Sequence, residues 1–359
     1  MWAGRATEIW RQQTDPIVTG NRQEGKATHM SILVTGGAGY IGSHMVWHLV
    51  DAGEKVVVLD NLSTGFDWAV APEAHLVQGD SGDEALTGRL IKEHGVEAII
   101  HFAASIVVPE SVSHPLQYYL NNTVKTRALI AAAVEGGVKH FIFSSTAAVY
   151  GTPAVAPVGE DALLNPESPY GRSKMMSEMM LADAAAAHDL SYVALRYFNV
   201  AGADPKGRTG QSTKAATHLI KVACETALGK RRDITVYGTD YPTPDGTCVR
   251  DYIHVSDLVA AHAAALAHLR SGGDSLVANC GYGRGYSVLE VIDTVKKVSG
   301  HDFPVILGER RPGDPATIVA SPARIREKFG WRPEHDDLTG IVRDALAWEK
   351  ALERRNRRD

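Results

Sequence analysis

The sequence predicts an α/β protein built on a Rossmann-type, doubly wound parallel sheet, and three observations support this prediction. From Met30 onward, short apolar runs rich in β-branched residues alternate with longer helical segments, which is typical of βαβ units. A glycine series follows the first apolar run, and an aspartate ends the second. After residue 200 the alternation weakens. We therefore expect a Rossmann domain over 30–199 and a smaller C-terminal α/β lobe over 200–350, with a chain that can cross between them.

The composition is that of an ordinary globular protein. Of the 359 residues, 44% are hydrophobic and 22% are charged, and the formal net charge is −5. This mildly acidic balance does not favour binding to nucleic acid or to a membrane surface. No apolar run approaches the ~20 residues of a membrane-spanning helix. The three cysteines lie far apart along the chain, which predicts free thiols in a reducing compartment, the cytoplasm.

Residues 1–29 precede this pattern and mix charged, polar and glycine residues without a hydrophobic period. They lack the apolar segment of a signal peptide, and their acidic residues count against a transit peptide. Met30 stands directly before the first predicted strand. We expect 1–29 to be a disordered extension or the product of an upstream start site.

The first predicted strand leads into a Gly-x-x-Gly-x-x-Gly loop formed by Gly36, Gly39 and Gly42. Such glycines allow a tight turn, a close approach to a pyrophosphate, and close packing of the next helix, whose N-terminus attracts the anion. The second strand ends at Asp60, where a carboxylate accepts hydrogen bonds from ribose hydroxyls and repels a 2′-phosphate. The sequence therefore predicts a binding site for NAD rather than NADP.

The remaining elements follow in regular order. The strand candidates are 31–35, 55–60, 74–77, 97–102, 139–144, 192–197 and 275–280, and the helix candidates are 42–52, 83–94, 114–135 and 170–188. Two loops, 151–169 and 201–214, are too long to be simple connections. Long ordered loops are usually functional, and ligands of open α/β sheets bind beyond the carboxyl ends of the strands.

Tyr170 and Lys174 are the residues most informative about chemistry. They stand one helical turn apart after Ser168-Pro169, a pair typical of a helix start, so the phenol and the ammonium lie on one face. A phenol with a pKa of about 10 is not a base at neutral pH, and one nearby cation lowers a pKa by only about 1–3 pH units. A second positive charge is needed, and an oxidised nicotinamide ring carries one. The pair therefore predicts a catalytic tyrosine that works with NAD.

Other polar side chains stand at predicted strand ends. Thr146 could hydrogen-bond a substrate hydroxyl or the Tyr170 phenol, although a hydroxyl at a strand end can also cap the backbone. Asn199 could bind a phosphate or a sugar, although asparagines at strand ends often form turns. Arg250 and Arg311 are candidates for anion binding, because an arginine can hold a phosphate by two parallel bonds. Solvated surface positions are the alternative for both arginines.

His44 and His48 have the i, i+4 spacing of zinc ligands, but no glutamate follows the first and no third ligand is evident. We expect them to pack a helix, and we expect no metal site. The four methionines within 175–180 form an apolar stripe that core packing or a subunit interface explains.

Seven segments match a known family. They are 35–44, 60–61, 144–151, 168–174, 195–199, 246–254 and 310–314. In order along the chain, from 30 to roughly 348, they resemble the UDP-glucose 4-epimerases of the extended short-chain dehydrogenase/reductase family. Arg-Asp-Tyr-Ile-His at 250–254 and Arg-Arg-Pro-Gly-Asp at 310–314 are far more specific than the glycine loop.

The resemblance implies a reaction without net redox change. Tightly held NAD oxidises C4 of a UDP-hexose, the 4-keto sugar turns over while its UDP stays anchored, and hydride returns to the other face, so that UDP-glucose and UDP-galactose interconvert. By the same resemblance, Tyr170 removes the proton of the C4 hydroxyl and Thr146 steadies that hydroxyl. Lys174 would hold the ribose and lower the pKa of the phenol.

The resemblance also implies binding residues and a partner. It places Tyr40, Ile41, Asn61, Asp80, Ser81, Phe102, Ala103, Ala104, Asn121 and Phe198 in the NAD site, together with the three glycines, Asp60, Tyr170 and Lys174. It places Thr146, Asn199, His218, Leu219, Tyr237, Arg250, Arg311 and Asp314 against the UDP-sugar. A homodimer formed through the helices near 114–135 and 170–188 is implied as well.

Three departures from the family concern the sugar. Ile106 stands where many relatives have lysine, His218 where many have asparagine, and Ile318 where some have tyrosine. Another 4-epimerase, acting on UDP-N-acetylglucosamine or UDP-glucuronate, is therefore an open alternative.

A dehydratase or decarboxylase would need an acid just after the strand hydroxyl, where this chain has Ala147 and Ala148. A non-catalytic NAD sensor would have no reason to keep the three catalytic residues together.

Overall fold

The computed structural model describes residues 30–311 and 313–355, so the expected disorder of 1–29 lies outside the described residues. The strands are β1 (Ser31–Thr35), β2 (Lys55–Asp60), β3 (His75–Gln78), β4 (Val96–His101), β5 (His140–Thr146), β6 (Ser191–Tyr197), β7 (Asn199–Ala201), β8 (Ile234–Tyr237), β9 (Val249–His254), β10 (Leu276–Cys280), β11 (Gly285–Ser287), β12 (Val305–Gly308) and β13 (Thr317–Ile318). The α-helices are α1 (Tyr40–Asp51), α2 (Glu84–His94), α3 (Val108–Ser113), α4 (Pro115–Tyr118), α5 (Lys125–Glu135), α6 (Pro169–Ala187), α7 (Leu219–Ala227), α8 (Val255–Arg270), α9 (Val288–Ser299), α10 (Ala323–Phe329) and α11 (Leu338–Arg355).

Seven parallel strands form the main sheet, in the order β10-β6-β5-β4-β1-β2-β3. All seven strands predicted from the sequence lie in this sheet, with bounds within two residues of the predicted ones. The strand order reverses between β1 and β4, which is the position where doubly wound sheets bind their ligands. The predicted Rossmann-type fold is confirmed.

Helices cover both faces of this sheet. In β1, Ile32 and Val34 belong to the hydrophobic core on the side of α1 and α8, and Leu33 belongs to the core on the side of α2, α5 and α6. Successive side chains of a strand point to opposite faces, so a strand buried on both sides needs an unbroken apolar run. The runs that predicted the strands are therefore a consequence of this double coverage.

The C-terminal lobe is built around shorter strands. β7, β11 and β13 all pair with β9, and β8 pairs with β12. Helices α7, α9 and α11 pack on one another beside them. The chain also crosses back, since β10 joins the edge of the main sheet beside β6 and α8 packs against β5 and β6. Among the described residues, no helix is both long and apolar enough to span a membrane.

The helix predicted over 114–135 is interrupted. A π turn at Tyr119–Val124 separates α4 from α5. The amide of Asn121 donates to the hydroxyl of Ser105 (3.0 Å), and the amide of Asn122 donates to the carbonyl oxygen of Ser105 (2.9 Å). The π turn lets the neighbouring side chains of Asn121 and Asn122 reach the same loop after β4. Such turns are frequent at functional sites.

Candidate active site

Helix α6 presents Tyr170 and Lys174 to the end of β5. The helix begins where the backbone N–H of Gly171 donates to the hydroxyl of Ser168 (3.1 Å), a side-chain cap followed by proline, as the sequence predicted. A Cβ atom at Gly171 would lie 2.5 Å from the carbonyl oxygen of Ala148, so only glycine lets the helix lie this close to the turn after β5. Tyr170 is 7% exposed and Lys174 is 3% exposed. Both side chains are therefore held inside the protein at the carboxyl end of the strand.

Thr146, the last residue of β5, completes this group. Its hydroxyl accepts a hydrogen bond from the backbone N–H of Ala148 (3.1 Å) and also bonds to the phenol of Tyr170. Burial raises the pKa of Tyr170, and the hydrogen bond with Thr146 lowers it by less. The predicted lowering of the phenol's pKa is therefore not produced by these side chains alone. The additional positive charge that the sequence argument invokes stays an expectation about the protein with NAD bound.

The ammonium of Lys174 sits in an almost neutral environment. It donates to the carbonyl oxygen of Ser144 (2.8 Å) and lies 4.8 Å from the ring centre of Phe143. Burial lowers the pKa of Lys174 to about 7, and the carboxylate of Glu178 opposes this change. The positive charge that the chemistry needs is thus costly to keep at this position.

The glycine loop forms a cradle with the shape of a pyrophosphate site. A Cβ atom at Gly36, whose φ is +72°, would lie 2.6 Å from the backbone nitrogen of Ala103, and one at Gly42 would lie 2.0 Å from the carbonyl oxygen of Gly36. Gly39 precedes α1 and offers no side chain to cap it, so the first N–H groups of the helix remain available to an anion. This arrangement fits NAD.

Asp60 lies beside the cradle at the end of β2. One carboxylate oxygen accepts from the backbone N–H of Ala38 (2.9 Å) and the other from that of Leu62 (2.8 Å). The carboxylate is thus fixed at the edge of the glycine loop, and each oxygen keeps a further lone pair for a ribose hydroxyl. Its position fits the predicted preference for NAD.

The other predicted cofactor residues surround the carboxyl ends of β1 to β4 and of β6. Tyr40 and Ile41 open α1, Asn61 follows β2, Asp80 and Ser81 follow β3, Phe102, Ala103 and Ala104 follow β4, Asn121 lies in the π turn, and Phe198 follows β6. The structure therefore brings them to the switch point of the sheet. Asp80 is already paired with Lys125, which lowers the pKa of the carboxyl group, although burial opposes this effect.

The predicted phosphate-binding residues form a second group in the C-terminal lobe. The guanidinium of Arg311 lies over the ring of Tyr237, at 4.9 Å from its centre, and donates to the carboxylate of Asp314 (2.9 Å). Arg250 approaches the same carboxylate at 3.8 Å. Asn199 hydrogen-bonds Tyr252 of β9, which places it next to the strand that carries Arg250.

The remaining predicted substrate residues and the family departures lie around these two groups. His218 precedes α7 and pairs with Gln211 (2.8 Å), and Leu219 is the first residue of that helix. Ile318 is 8% exposed and stands opposite Arg250 in the pairing of β13 with β9. Ile106 is 50% exposed in the loop after β4.

Three residues of the catalytic region were missed in the sequence. Arg196 of β6 donates twice to the carboxylate of Glu178, with distances of 3.0 and 2.6 Å, and the hydroxyl of Ser145 also donates to that carboxylate. Glu178 follows Lys174 by the same four-residue step that separates Lys174 from Tyr170. That spacing was the available signal.

Comparison with known proteins agrees with this geometry. Residues 32–281 match the NAD dependent epimerase/dehydratase family. The UDP-glucose 4-epimerase of Azospirillum brasilense is 58% identical over 322 residues, which cover 90% of this chain and 92% of the relative. The structure of UDP-glucose 4-epimerase from Brucella ovis in complex with NAD is 45% identical, with a TM-score of 0.86 over 89% of this chain and 98% of that one. The Bifidobacterium longum enzyme in complex with NAD⁺ and UDP is 37% identical, with a TM-score of 0.85 over 90% and 98% of the two chains. The chain therefore belongs to the NAD dependent epimerase/dehydratase family, and its resemblance to the UDP-glucose 4-epimerases is confirmed.

Proposed function

We propose that this protein uses NAD to interconvert UDP-glucose and UDP-galactose by transient oxidation at C4 of the hexose. The observation that carries the proposal is the buried group of Thr146, Tyr170 and Lys174 at the carboxyl end of β5, beside a glycine cradle that fits a dinucleotide. When bound, NAD would supply the acceptor, and later the donor, for the C4 hydride. Proton transfer, orientation and anchoring are the tasks of the protein's side chains.

Tyr170 would serve as both base and acid. Its phenolate takes the proton of the 4-hydroxyl as the C4–H bond breaks, and its phenol returns that proton when the bond forms again on the other face of the sugar. The hydroxyl of Thr146 aligns the reacting oxygen. The ammonium of Lys174 stabilises the phenolate, because an opposite charge nearby favours the ionised form.

The C-terminal group supplies the anchor. Arg250 and Arg311 would hold the diphosphate by charge-assisted hydrogen bonds, with Tyr237 and Asp314 positioning them. An anchor at the diphosphate leaves the hexose free to turn about its link to the phosphate. Both faces of C4 can then meet the same phenol, as an epimerase requires.

Purified protein incubated with UDP-galactose, without added cofactor, tests the proposal. We expect UDP-glucose to form, with retained NAD detected after denaturation, and we expect Tyr170→Phe to retain NAD without forming product. Absence of UDP-glucose even with added NAD would contradict the proposal. Formation of a 4-keto-6-deoxy sugar would indicate a dehydratase instead, although Ala147 and Ala148 offer no acid for that reaction.

A homodimer is part of this proposal, and an exposed apolar stripe supports it. Val112, Leu116, Leu120 and Val124 recur at four-residue intervals, and each is more than half exposed, as is Met179 on α6. These residues lie in or beside the two helical segments expected to form the interface. Leu116→Glu combined with Leu120→Glu should yield monomers in sedimentation analysis, whereas Leu163→Glu, at an exposed leucine of the loop before α6, should not. A monomeric wild type would contradict this part of the proposal.

We also place the protein in the cytoplasm. Cys224, Cys248 and Cys280 are all buried free thiols, which supports a reducing compartment. Localisation of a tagged full-length protein tests this assignment, and secretion would overturn it.

A further inference from the structure

A buried ion pair lies directly behind the catalytic group. Glu178 is 6% exposed and stands one turn after Lys174 on α6, and Arg196 of β6 is 4% exposed. The guanidinium binds both carboxylate oxygens, and the hydroxyl of Ser145, the residue before Thr146, donates to one of them. Breaking such a pair usually leaves an uncompensated charge, and an apolar pair would often be as stable. Fold stability alone therefore does not explain why ionic groups stand here.

We propose that Glu178 is a positioning residue for the proposed epimerisation, and that its fixed carboxylate keeps Lys174 an ammonium ion beside Tyr170. The inference rests on the proposed function. Residues three or four apart on a helix lie on one face, so Glu178 stands next to Lys174 as Lys174 stands next to Tyr170. The three side chains form one row: base, cation and counter-ion.

The direct contacts of Lys174 show why a counter-ion is needed. Its ammonium touches a carbonyl oxygen and an aromatic ring, both of which are neutral. A buried ammonium with neutral partners tends to lose its proton, because burial disfavours the charged form. A neutral Lys174 could still hold a ribose hydroxyl, but it would not stabilise a phenolate.

Titratable residues from several elements lie around Tyr170, Lys174 and Glu178. These residues are Tyr170 of α6 itself, His101 of β4, Tyr192, Arg196 and Tyr197 of β6, Tyr150 after β5, Glu160 in the loop before α6, Tyr118 of α4 and Glu110 of α3. Burial raises the pKa of each of these tyrosines and lowers that of His101 to about 3, so they are neutral near pH 7. Glu110 bonds to Tyr118, and Glu160 bonds to the backbone of Asn279. Glu178 is the carboxylate whose charge acts on Lys174.

Arg196 and Ser145 give Glu178 a single orientation. Two parallel bonds from Arg196 prevent rotation of the carboxylate, and Arg196 is itself fixed by Tyr150, whose hydroxyl accepts a bond at 3.0 Å and whose ring lies 5.0 Å away. The phenol of Tyr150 continues to the side chain of Asn279 on β10 (2.7 Å). The counter-ion is thus anchored to three strands of the main sheet, so it cannot swing away from Lys174.

The pH dependence of kcat tests this inference. Glu178→Gln keeps the shape of the side chain, removes its charge and leaves Arg196 unopposed, and both electrical changes favour a neutral Lys174. We expect a deficit in kcat below about 3-fold at pH 6 that grows to at least about tenfold at pH 8.5, because one pKa unit changes the protonation ratio tenfold. Glu178→Asp should restore much of the wild-type profile. Asp183→Asn, which removes a carboxylate charge from an exposed position of the same helix, is the matched control and should leave the profile unchanged.

Two further measurements keep the test decisive. If Glu178→Gln does not fold, Glu178→Gln combined with Arg196→Gln removes both buried charges. It should show a shift in the same direction but a smaller one, because no unopposed guanidinium is left. In protein labelled with ¹³C-lysine, the signal absent from Lys174→Met reports the Lys174 pKa without turnover, and we expect a lower value in Glu178→Gln. Loss of kcat by the same factor at every pH, or an unchanged Lys174 pKa, would overturn the inference. A lowered Lys174 pKa in a protein that does not epimerise would instead contradict the proposed function.

Discussion

The half of the site that contains Thr146, Tyr170 and Lys174 is buried and fixed, whereas the half that contains Tyr237 and Arg311 is open to solvent. In the first half, each side chain is at most 7% exposed and bonds to the backbone of β5 or to a neighbouring catalytic residue. In the second half, Tyr237 is 45% exposed and the side chain of Arg311 is 51% exposed. Their contacts are to each other and to Asp314.

This difference separates chemistry from anchoring. Proton transfer needs groups that are in place before the substrate arrives, because reorganisation at the moment of reaction adds to the barrier. An anchor can be completed by the ligand itself, since a half-exposed arginine such as Arg311 loses little when it turns from Asp314 to a phosphate. Substitutions in the buried half should therefore change kcat, and those in the open half should change KM.

Tyr170→Phe should have the largest effect. The substitution removes only the phenolic oxygen, so we expect kcat to fall by at least about 10²–10⁴-fold, the range typical of losing a general base. Bound NAD, measured after denaturation, should remain at the wild-type level. Near-normal epimerisation by this variant would show that Tyr170 is not the base.

Lys174→Met should have the next largest effect, and its sign follows from charge. Loss of the cation raises the pKa of Tyr170 further above the value that burial already imposes, so activity should appear only at higher pH. The measurement is kcat against pH, with NAD content determined in parallel because the ribose contact is lost too. An identical pH profile in wild type and variant would break the proposed division of labour.

Arg311→Ala should act on binding. Hydrogen bonds to charged groups contribute roughly 1.5–3 kcal/mol, so we expect KM for UDP-galactose to rise by about 10–100-fold with kcat within about 3-fold. Arg310→Ala is the matched control, because Arg310 pairs with Asp240 rather than with Asp314. A fall in kcat without a change in KM would place Arg311 in the chemical half.

Ser168→Ala should have the smallest effect. It removes the cap of α6 and should lower the free energy of unfolding by about 1 kcal/mol, as measured by denaturant titration. Because burial fixes Tyr170 and Lys174 independently of the cap, kcat should change by less than about 3-fold. A much larger fall in kcat would mean that the helix start, rather than packing, positions the base.

Sequence could predict the main sheet because its strands are buried on both sides and read as apolar runs. The strands of the C-terminal lobe were not predicted. β7, β11 and β13 have only two or three residues and exist through pairing with β9, and β8, β9 and β12 lie after residue 200, where the alternation of strands and helices weakens. The sequence could predict that Tyr170 and Lys174 lie on one helix face, because this depends only on their four-residue spacing. Glu178 was missed because a charged residue on a helix usually faces solvent, and its partner Arg196 belongs to another element.

The π turn at Tyr119–Val124 makes the length of this segment as important as its composition. Removing one residue there would restore a regular α-helix and leave α4 and α5 in nearly the same relative orientation, because a π turn holds one extra residue within a helix. The shortened turn would have one residue fewer on the side that meets Ser105, so Asn121 and Asn122 would no longer both reach it. Tolerated insertions and deletions among relatives should therefore avoid 119–124, even where single substitutions are accepted.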